Sequence, residues 1–297
     1  MPAPALPDRY DQAPECVGCP STVTVARIPG YRPLRLDLRR PATGGAVPVV
    51  AWIHGGGWRG GGRDRHVFAA AGFHDRVLRR GYAVADVEYR LSREAVFPAQ
   101  LHDVKAALRW LRAFAPELGL DGDRFVAWGE SAGGHLAALA GLVTDPALEG
   151  GAGVVGVSSA VQAVLDWYGP ADMALFLDDD RPAQPAGSAE EWLLGGRLAD
   201  HPAQVAAASP VNHVRPDAPP FVLLHGTADT TVPYRHSEAL AAALREAGVR
   251  AELVPVPDAE HVFEGVPDAG ALIERSLDLL DDVLPSAGRD RVVGTGA

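Results

Sequence analysis

Six apolar runs punctuate the chain: Pro48 to His54 (Val49-Val50-Ala51-Trp52-Ile53), Tyr82 to Glu88, Arg124 to Trp128, Ala163 to Tyr168, Phe221 to His225 and Arg250 to Val256. The continuous run from Val49 to Ile53 suits a strand covered on both faces, as in a parallel sheet, and the others read as strands beside it. Two earlier segments, Thr22 to Ile28 and Leu34 to Leu38, alternate or run apolar around a Pro-Gly turn and predict a pair of antiparallel strands. Helical patterns fill the gaps. They cover His66 to Arg80, then Ala99 to Phe114 with Leu101, Val104, Leu108 and Leu111 on one stripe, and the small apolar residues from Gly134 to Ala140. Ser237 to Ala247, closed by Gly248, and Ala269 to Leu284 complete the set. Eight strands, with helices alternating from the third onward, predict an α/β protein: a mostly parallel eight-stranded sheet with helices on both faces.

Residues 1–20 read as an irregular N-terminal arm, 21–284 as a single domain and 285–297 as a loose tail. Residues 171–219 break the rhythm. They hold Asp178-Asp179-Asp180, several prolines and short apolar clusters, and predict no strand. A stretch this long between strands is expected to be a lid or binding insertion.

Composition narrows the partners. With 297 residues, 47% of them hydrophobic, the chain can bury a large core. A net charge of −11 argues against nucleic acid or an anionic membrane as partner. No stretch approaches the roughly 20 apolar residues of a membrane span. Met1 to Asp8 is Pro-rich and lacks the blocks of a signal peptide, so a cytoplasmic location is expected. The only cysteines, Cys16 and Cys19, form a C-x-x-C in a Pro-bounded loop without a second ligand pair. That favours a structurally minor loop over a local disulfide or an adventitious metal. Neither metal nor cofactor is expected.

The candidate chemistry centres on Gly129-Glu130-Ser131-Ala132-Gly133, between the strand ending at Trp128 and a helix-prone segment. Strand, G-x-S-x-G, helix is the context of a nucleophile elbow, with the serine hydroxyl exposed on a sharp turn. A serine nucleophile needs a base, and the base an orienting acid; for this elbow they follow in the order Ser, acid, His. Asp229, in His225-Gly226-Thr227-Ala228-Asp229, is the best acid, and His261, on the loop after the last strand, the best base. His236 is the rival base, only seven residues past Asp229. Asp258 and Glu260 lie too close to His261 to orient it from behind and read as loop-surface carboxylates. Acyl transfer also needs donors for a developing oxyanion. The amide of Ala132 and the Gly-rich loop with Gly56 and Gly57 offer them, and no phosphate-loop spacing is present.

These pieces resemble the α/β-hydrolase superfamily, in particular bacterial esterases of the hormone-sensitive-lipase and feruloyl-esterase-like groups. The resemblance rests on HGGGW (His54 to Trp58), VEYRLS (Val87 to Ser92), FPAQLHDV (Phe97 to Val104), WGESAGGHLA (Trp128 to Ala137), HGTADTTVP (His225 to Pro233) and EHVF (Glu260 to Phe263). It implies Ser131, Asp229 and His261 as a triad, Gly56, Gly57 and Ala132 as oxyanion donors, and a serine carboxylesterase acting on a small ester. Glu130 departs from the Asp that many lipase-like relatives carry. HGGGW also resembles the loop of arylformamidases, so amide cleavage stays an alternative, as does a lyase or binding role on the same fold. Arg90 and Asp103 are expected as an ion pair. Trp58, Trp167, Phe176, Trp192 and Phe263 are the candidates for a substrate pocket, Trp58 foremost.

Overall fold

The computed structural model describes residues 18–42, 45–177 and 187–284. Most of the expected N-terminal arm, the tail 285–297, Cys16 and Asp178 to Asp180 lie outside them. Cys19, within them, is disulfide-bonded, so the disulfide prevails over the minor loop that the Pro-bounded C-x-x-C favours.

The strands are β1 (Ser21–Ala26), β2 (Leu34–Arg39), β3 (Val47–Ile53), β4 (Ala83–Val87), β5 (Leu120–Glu130), β6 (Ala163–Trp167), β7 (Phe221–Gly226) and β8 (Ala251–Val256). They form one sheet in the order β1-β2-β4-β3-β5-β6-β7-β8. β2 is antiparallel to both β1 and β4, and every later pairing is parallel. This is the predicted architecture. Strands β3, β4, β6 and β7 are buried along their whole length, which is why their sequences carry no alternation.

The helices are α1 (Phe73–Arg79), α2 (Ala99–Ala113), α3 (Ala115–Leu118), α4 (Ala132–Leu142), α5 (Ala189–Leu194), α6 (Pro202–Ala207), α7 (Arg235–Glu246) and α8 (Ala269–Val283). One face of the sheet is covered by α2, α4 and α7, through residues such as Leu108, Leu136 and Leu240. The other is covered by α1 and α8 through Phe73, Val77, Ile273 and Leu277, over a cluster of Trp52, Trp128 and Trp167.

The helix expected over His66 to Arg80 is halved. Residues 66–72 turn repeatedly through bonds such as Ala69 N–H to His66 O and Gly72 N–H to Ala69 O. The His66 ring leaves the would-be helical face to lie between Trp52 and Phe73, each 4.2 Å away. Gly72 then takes φ 71, and only beyond it does α1 begin.

Residues 171–219 hold α5, α6 and short 3₁₀ turns, with no strand among the described residues. Ser188 and Glu191 form a capping box at the start of α5, and Phe97 N–H bonds to Leu193 O at 2.8 Å.

Helix α2 also fastens the connection over residues 143–160. Lys105 Nζ reaches Val143 O at 2.9 Å. Arg109 donates to Val154 O at 2.6 Å, Ala152 O at 2.9 Å and Glu149 O at 2.9 Å. Arg112 donates to Ser158 O and Ala160 O. The expected Arg90–Asp103 pair is present and buried, held by two bonds of 2.8 Å between the side chains.

Candidate active site

The chain's direction across the sheet reverses between β3 and β5, the kind of switch point where open α/β sheets bind ligands. Register pairs Ile53 with Gly129 there, so the His54-Gly55-Gly56-Gly57 loop and the turn at Ser131 emerge side by side. Ser131 sits at φ 53, ψ −121, between β5 and α4. The turn passes so close to β3 that nothing larger than hydrogen fits at Gly133. A Cβ there would lie 1.9 Å from Ile53 O. Ser131 N–H is anchored to Trp167 O at 2.8 Å.

Three side chains from three strand ends converge. Ser131 Oγ lies 3.0 Å from His261 Nε2, and His261 Nδ1 lies 2.7 Å from Asp229 Oδ2. Asp229 Oδ1 accepts the N–H groups of Thr231 and Val232 at 2.9 and 2.8 Å. Asp229 Oδ2 has a second neighbour that sequence reasoning missed, His225 Nε2 at 3.3 Å. His225 is buried, receives the Ser237 hydroxyl at Nδ1 (2.7 Å) and turns its Nε2–H towards Val232 O (2.8 Å) and Asp229. Burial pushes the Asp229 carboxyl up, but the hydrogen bonds from His225 and His261 outweigh it and hold the pKa down at about 2. Asp229 is therefore ionised at neutral pH.

Among the described residues, no turn or loop hydrogen bond engages the N–H groups of Gly56, Gly57 or Ala132. Gly56 takes φ 108 and its carbonyl closes the loop by accepting Arg59 and Gly60 N–H. Behind the loop stands Glu130, buried, which accepts Gly55 N–H at 2.8 Å and the Tyr168 hydroxyl at 3.3 Å. Burial raises its pKa against the pull of the Gly55 bond.

The pocket candidates fare differently. Trp58 is 2% exposed and donates its indole N–H to His135 Nδ1 at 3.2 Å. His135 bonds on to Ala208 O at 2.7 Å. Trp58 is thus a strut beneath the glycine loop, where its polar N–H has a buried partner. Trp167 is fully buried on the far face, bonded to Ser276 Oγ at 3.1 Å. Phe263 packs against Trp167 and Tyr168 at 5.3 and 4.7 Å. These three are core residues, since an aromatic beside a site motif serves the packing beneath it as readily as the cleft. Phe176 is buried against His236. Trp192, half-buried, lies under Arg93 at 5.4 Å. The rival base His236 is buried away from Ser131, its Nδ1 accepting Ala171 and Asp172 N–H. Glu260 is no idle surface group: its carboxylate accepts three hydrogen bonds from the two loops that carry Asp229 and His261.

One cluster outside the site offers metal-ligand atoms. His66, His74 and Asp86 bring three within 4.8 Å of one another. The donor set is already engaged. Asp86 is paired with Arg39 and His74, and His66 Nδ1 accepts Phe68 N–H. That bond leaves the proton on Nε2, where a metal would need a lone pair. A cavity of about 470 Å³ between α2 and residues 155–161 is lined by Lys105, Arg109 and Arg215. Their donors end on main-chain carbonyls and, for Lys105 and Arg109, on the Glu149 carboxylate that shares the lining.

A doubly covered sheet of this order, with a serine elbow at its switch point, defines an α/β-hydrolase fold. The chain belongs to the BD-FAE family, whose model matches residues 36–244. It is 36% identical to esterase LipQ of Mycobacterium tuberculosis over 80% of this chain and 56% of that protein. It is 32% identical to carboxylesterase NlhH of the same organism, over 80% of this chain and 74% of the relative. The chain spans about half the length of LipQ and of two further mycobacterial relatives, LipM and LipC. Among solved structures it is similar to a truncated carbohydrate esterase from gut microbiota (TM-score 0.78, 29% identity, 91% of this chain and 99% of that one). It also resembles esterase 2 of Thermogutta terrifontis with propionate bound (TM-score 0.71, 29% identity, 92% and 95%). No helix among the described residues is long and apolar enough to cross a membrane.

Proposed function

We propose that this protein hydrolyses small carboxylic esters through an acyl-enzyme. The observation that carries the reading is the line Ser131 Oγ, His261 Nε2 (3.0 Å), His261 Nδ1, Asp229 Oδ2 (2.7 Å), drawn beside unengaged backbone amides. Ser131 Oγ attacks the ester carbonyl carbon while its proton passes to His261 Nε2. Asp229 fixes the imidazole with its proton on Nδ1 and stabilises the imidazolium. The carbonyl oxygen, now negative, is received by the N–H groups of Gly56, Gly57 and Ala132. Collapse of the tetrahedral adduct breaks the bond to the alkoxide, which takes the proton from His261. Water, deprotonated by the same nitrogen, then releases the acid and restores Ser131.

Residues 187–219 act in this reading as a cover over the acyl side. Ala189 at the start of α5 stands so near the glycine loop that a Cβ on Gly57 would lie 3.2 Å from its own. Room beside the reacting carbon is therefore short, and short acyl groups are preferred. A panel of p-nitrophenyl esters of rising chain length, with N-formylkynurenine alongside, tests the reading. Turnover is expected to be greatest on the acetate to butyrate esters. Preference for acyl chains of about twelve carbons or more, or for the formamide over every ester, overturns it.

A further inference from the structure

We propose that Glu260 is a positioning residue that locks the acid loop to the base loop, an inference resting on the esterase reading of Ser131, His261 and Asp229. His261 has to hold two distances at once, to Ser131 and to Asp229, from a loop with an unfavourable backbone. The two residues after it, Val262 and Phe263, both lie in the left-handed region, at φ 61 and φ 55. For β-branched Val262 this conformation is strained, and its side chain is 38% exposed, so burial offsets only part of the cost. Phe263 is buried and anchors the far side of the loop. The near side needs a restraint of its own.

Glu260 supplies it. Its Oε2 accepts His261 N–H at 2.9 Å and Thr230 N–H at 3.1 Å. Its Oε1 accepts the Thr230 hydroxyl at 2.7 Å. Thr230 follows Asp229 directly, so one carboxylate ties the backbone beside the acid to the backbone of the base. The Glu260 backbone closes the loop as well, its N–H bonding to Glu264 O at 2.9 Å. Asp229 and His261 thus meet through their side chains on one side and through Glu260 on the other. The Glu260 side chain makes these bonds with the main chain and Thr230, and none with the imidazole ring. Its contribution is therefore geometric.

That geometry distinguishes hydrogen bonding from charge. In Glu260→Gln the amide oxygen can take the place of Oε2 and accept both N–H groups. The amide nitrogen, in place of Oε1, can donate to the Thr230 hydroxyl. Glu260→Ala can do neither. The experiment measures kcat and KM on p-nitrophenyl acetate, fluorophosphonate labelling of Ser131 and the melting temperature, for wild type, Glu260→Ala, Glu260→Gln and Thr230→Val. Glu264→Gln, in an exposed side chain on the same loop, removes an equal charge and serves as the control. Glu260→Ala is expected to lower kcat about ten- to a hundredfold with KM nearly unchanged, as a small misplacement of a catalytic group does. Glu260→Gln should stay within about threefold of wild type. Thr230→Val should lose roughly threefold, the worth of one hydrogen bond, and should add little to the loss in Glu260→Ala. Wild-type kcat in Glu260→Ala overturns the proposal. So does a Gln variant as impaired as the Ala variant, because charge would then be the operative property. If Glu260→Ala fails to fold, the Gln and Thr230→Val pair decides on the same terms. A wild-type protein that neither turns over esters nor is labelled at Ser131 would instead overturn the esterase reading itself.

Discussion

Glu130 and Gly55 meet across the seam between β5 and β3. The carboxylate accepts the Gly55 N–H at 2.8 Å, and a Cβ on Gly55 would lie 2.5 Å from Glu130 Oε1. The residue before the candidate nucleophile thereby sets the height of the loop expected to receive the oxyanion. Glu130→Gln retains an acceptor for Gly55 and should keep most activity. Glu130→Leu strands that N–H, and kcat should fall by about tenfold or more as the donors lose alignment. The rate of fluorophosphonate labelling, which uses the same donors, should fall with it. Unchanged labelling in the leucine variant would separate Glu130 from the loop.

Ser131→Ala should abolish ester turnover while leaving the melting temperature close to wild type, since among the described residues the hydroxyl's one side-chain partner is His261. Mass spectrometry after fluorophosphonate treatment should find the adduct on Ser131 alone. Labelling that persists in the alanine variant assigns the nucleophile elsewhere.

Asp229→Asn should lower kcat by orders of magnitude with little change in KM, because an amide cannot hold the imidazole proton on Nδ1. Wild-type activity should remain high as pH falls towards 5 as far as Asp229 is concerned, since its carboxyl stays ionised down to about 2. Comparison of His261→Ala with His236→Ala checks the base. A dead His236 variant beside an active His261 variant would refute the triad.

Asp166 makes a prediction about stability. It is buried at the end of β6, where Oδ1 accepts Gly169 N–H at 2.9 Å and Oδ2 has no hydrogen-bond partner among the described residues. Burial pushes its pKa up to about 6. Between the ordinary carboxyl value and about 6, the folded state keeps a proton that the unfolded chain has lost, so Asp166 costs stability as pH rises through that window. Asp166→Asn should flatten this part of the stability curve, with a gain over wild type on the order of 2 kcal/mol above pH 6. Urea unfolding at pH 4 and pH 7 measures it. Equal pH slopes in the two proteins would contradict the assignment.

The sheet was legible because its strands need apolar residues on both faces, and Val49 to Ile53 or Phe221 to Leu224 can hardly fold otherwise. The serine turn was legible because the glycine at 133 leaves room for Ile53 O. What the sequence hid depends on contacts between distant segments. His66 looks helical until Trp52 is placed beneath it. Trp167 sits one residue past Asp166 near the candidate site, yet strand alternation sends its ring to the opposite face. Glu260 reads as a loop carboxylate because its partner Thr230 is 30 residues away. His225, which ends an apolar strand, carries a signal that could have been used: a polar side chain at a buried strand end needs partners, and Asp229 is four residues on.

The grip of α2 on residues 143–160 has a consequence for how this part of the chain can vary. Lys105, Arg109 and Arg112 seize carbonyl oxygens, which every amino acid possesses alike. Much of the connection's shape is thus encoded in a helix some forty residues upstream, and its own letters matter chiefly where a side chain joins the grip. Gly150, Gly153 and Gly156 are exceptions, since they take φ of 72, 68 and 78, and a Cβ on Gly150 or Gly153 would strike the His102 ring or Val25 O. Glu149 is another, its carboxylate paired with Lys105 at 2.8 Å and Arg109 at 2.6 Å. The exposed Val155, by contrast, can be rewritten while the path of the backbone persists. Trimming Arg109 would release three carbonyls of the span at once, those of Glu149, Ala152 and Val154. Mutational tolerance in this region is therefore partly inverted, with exposed loop positions permissive and the cations of α2 intolerant.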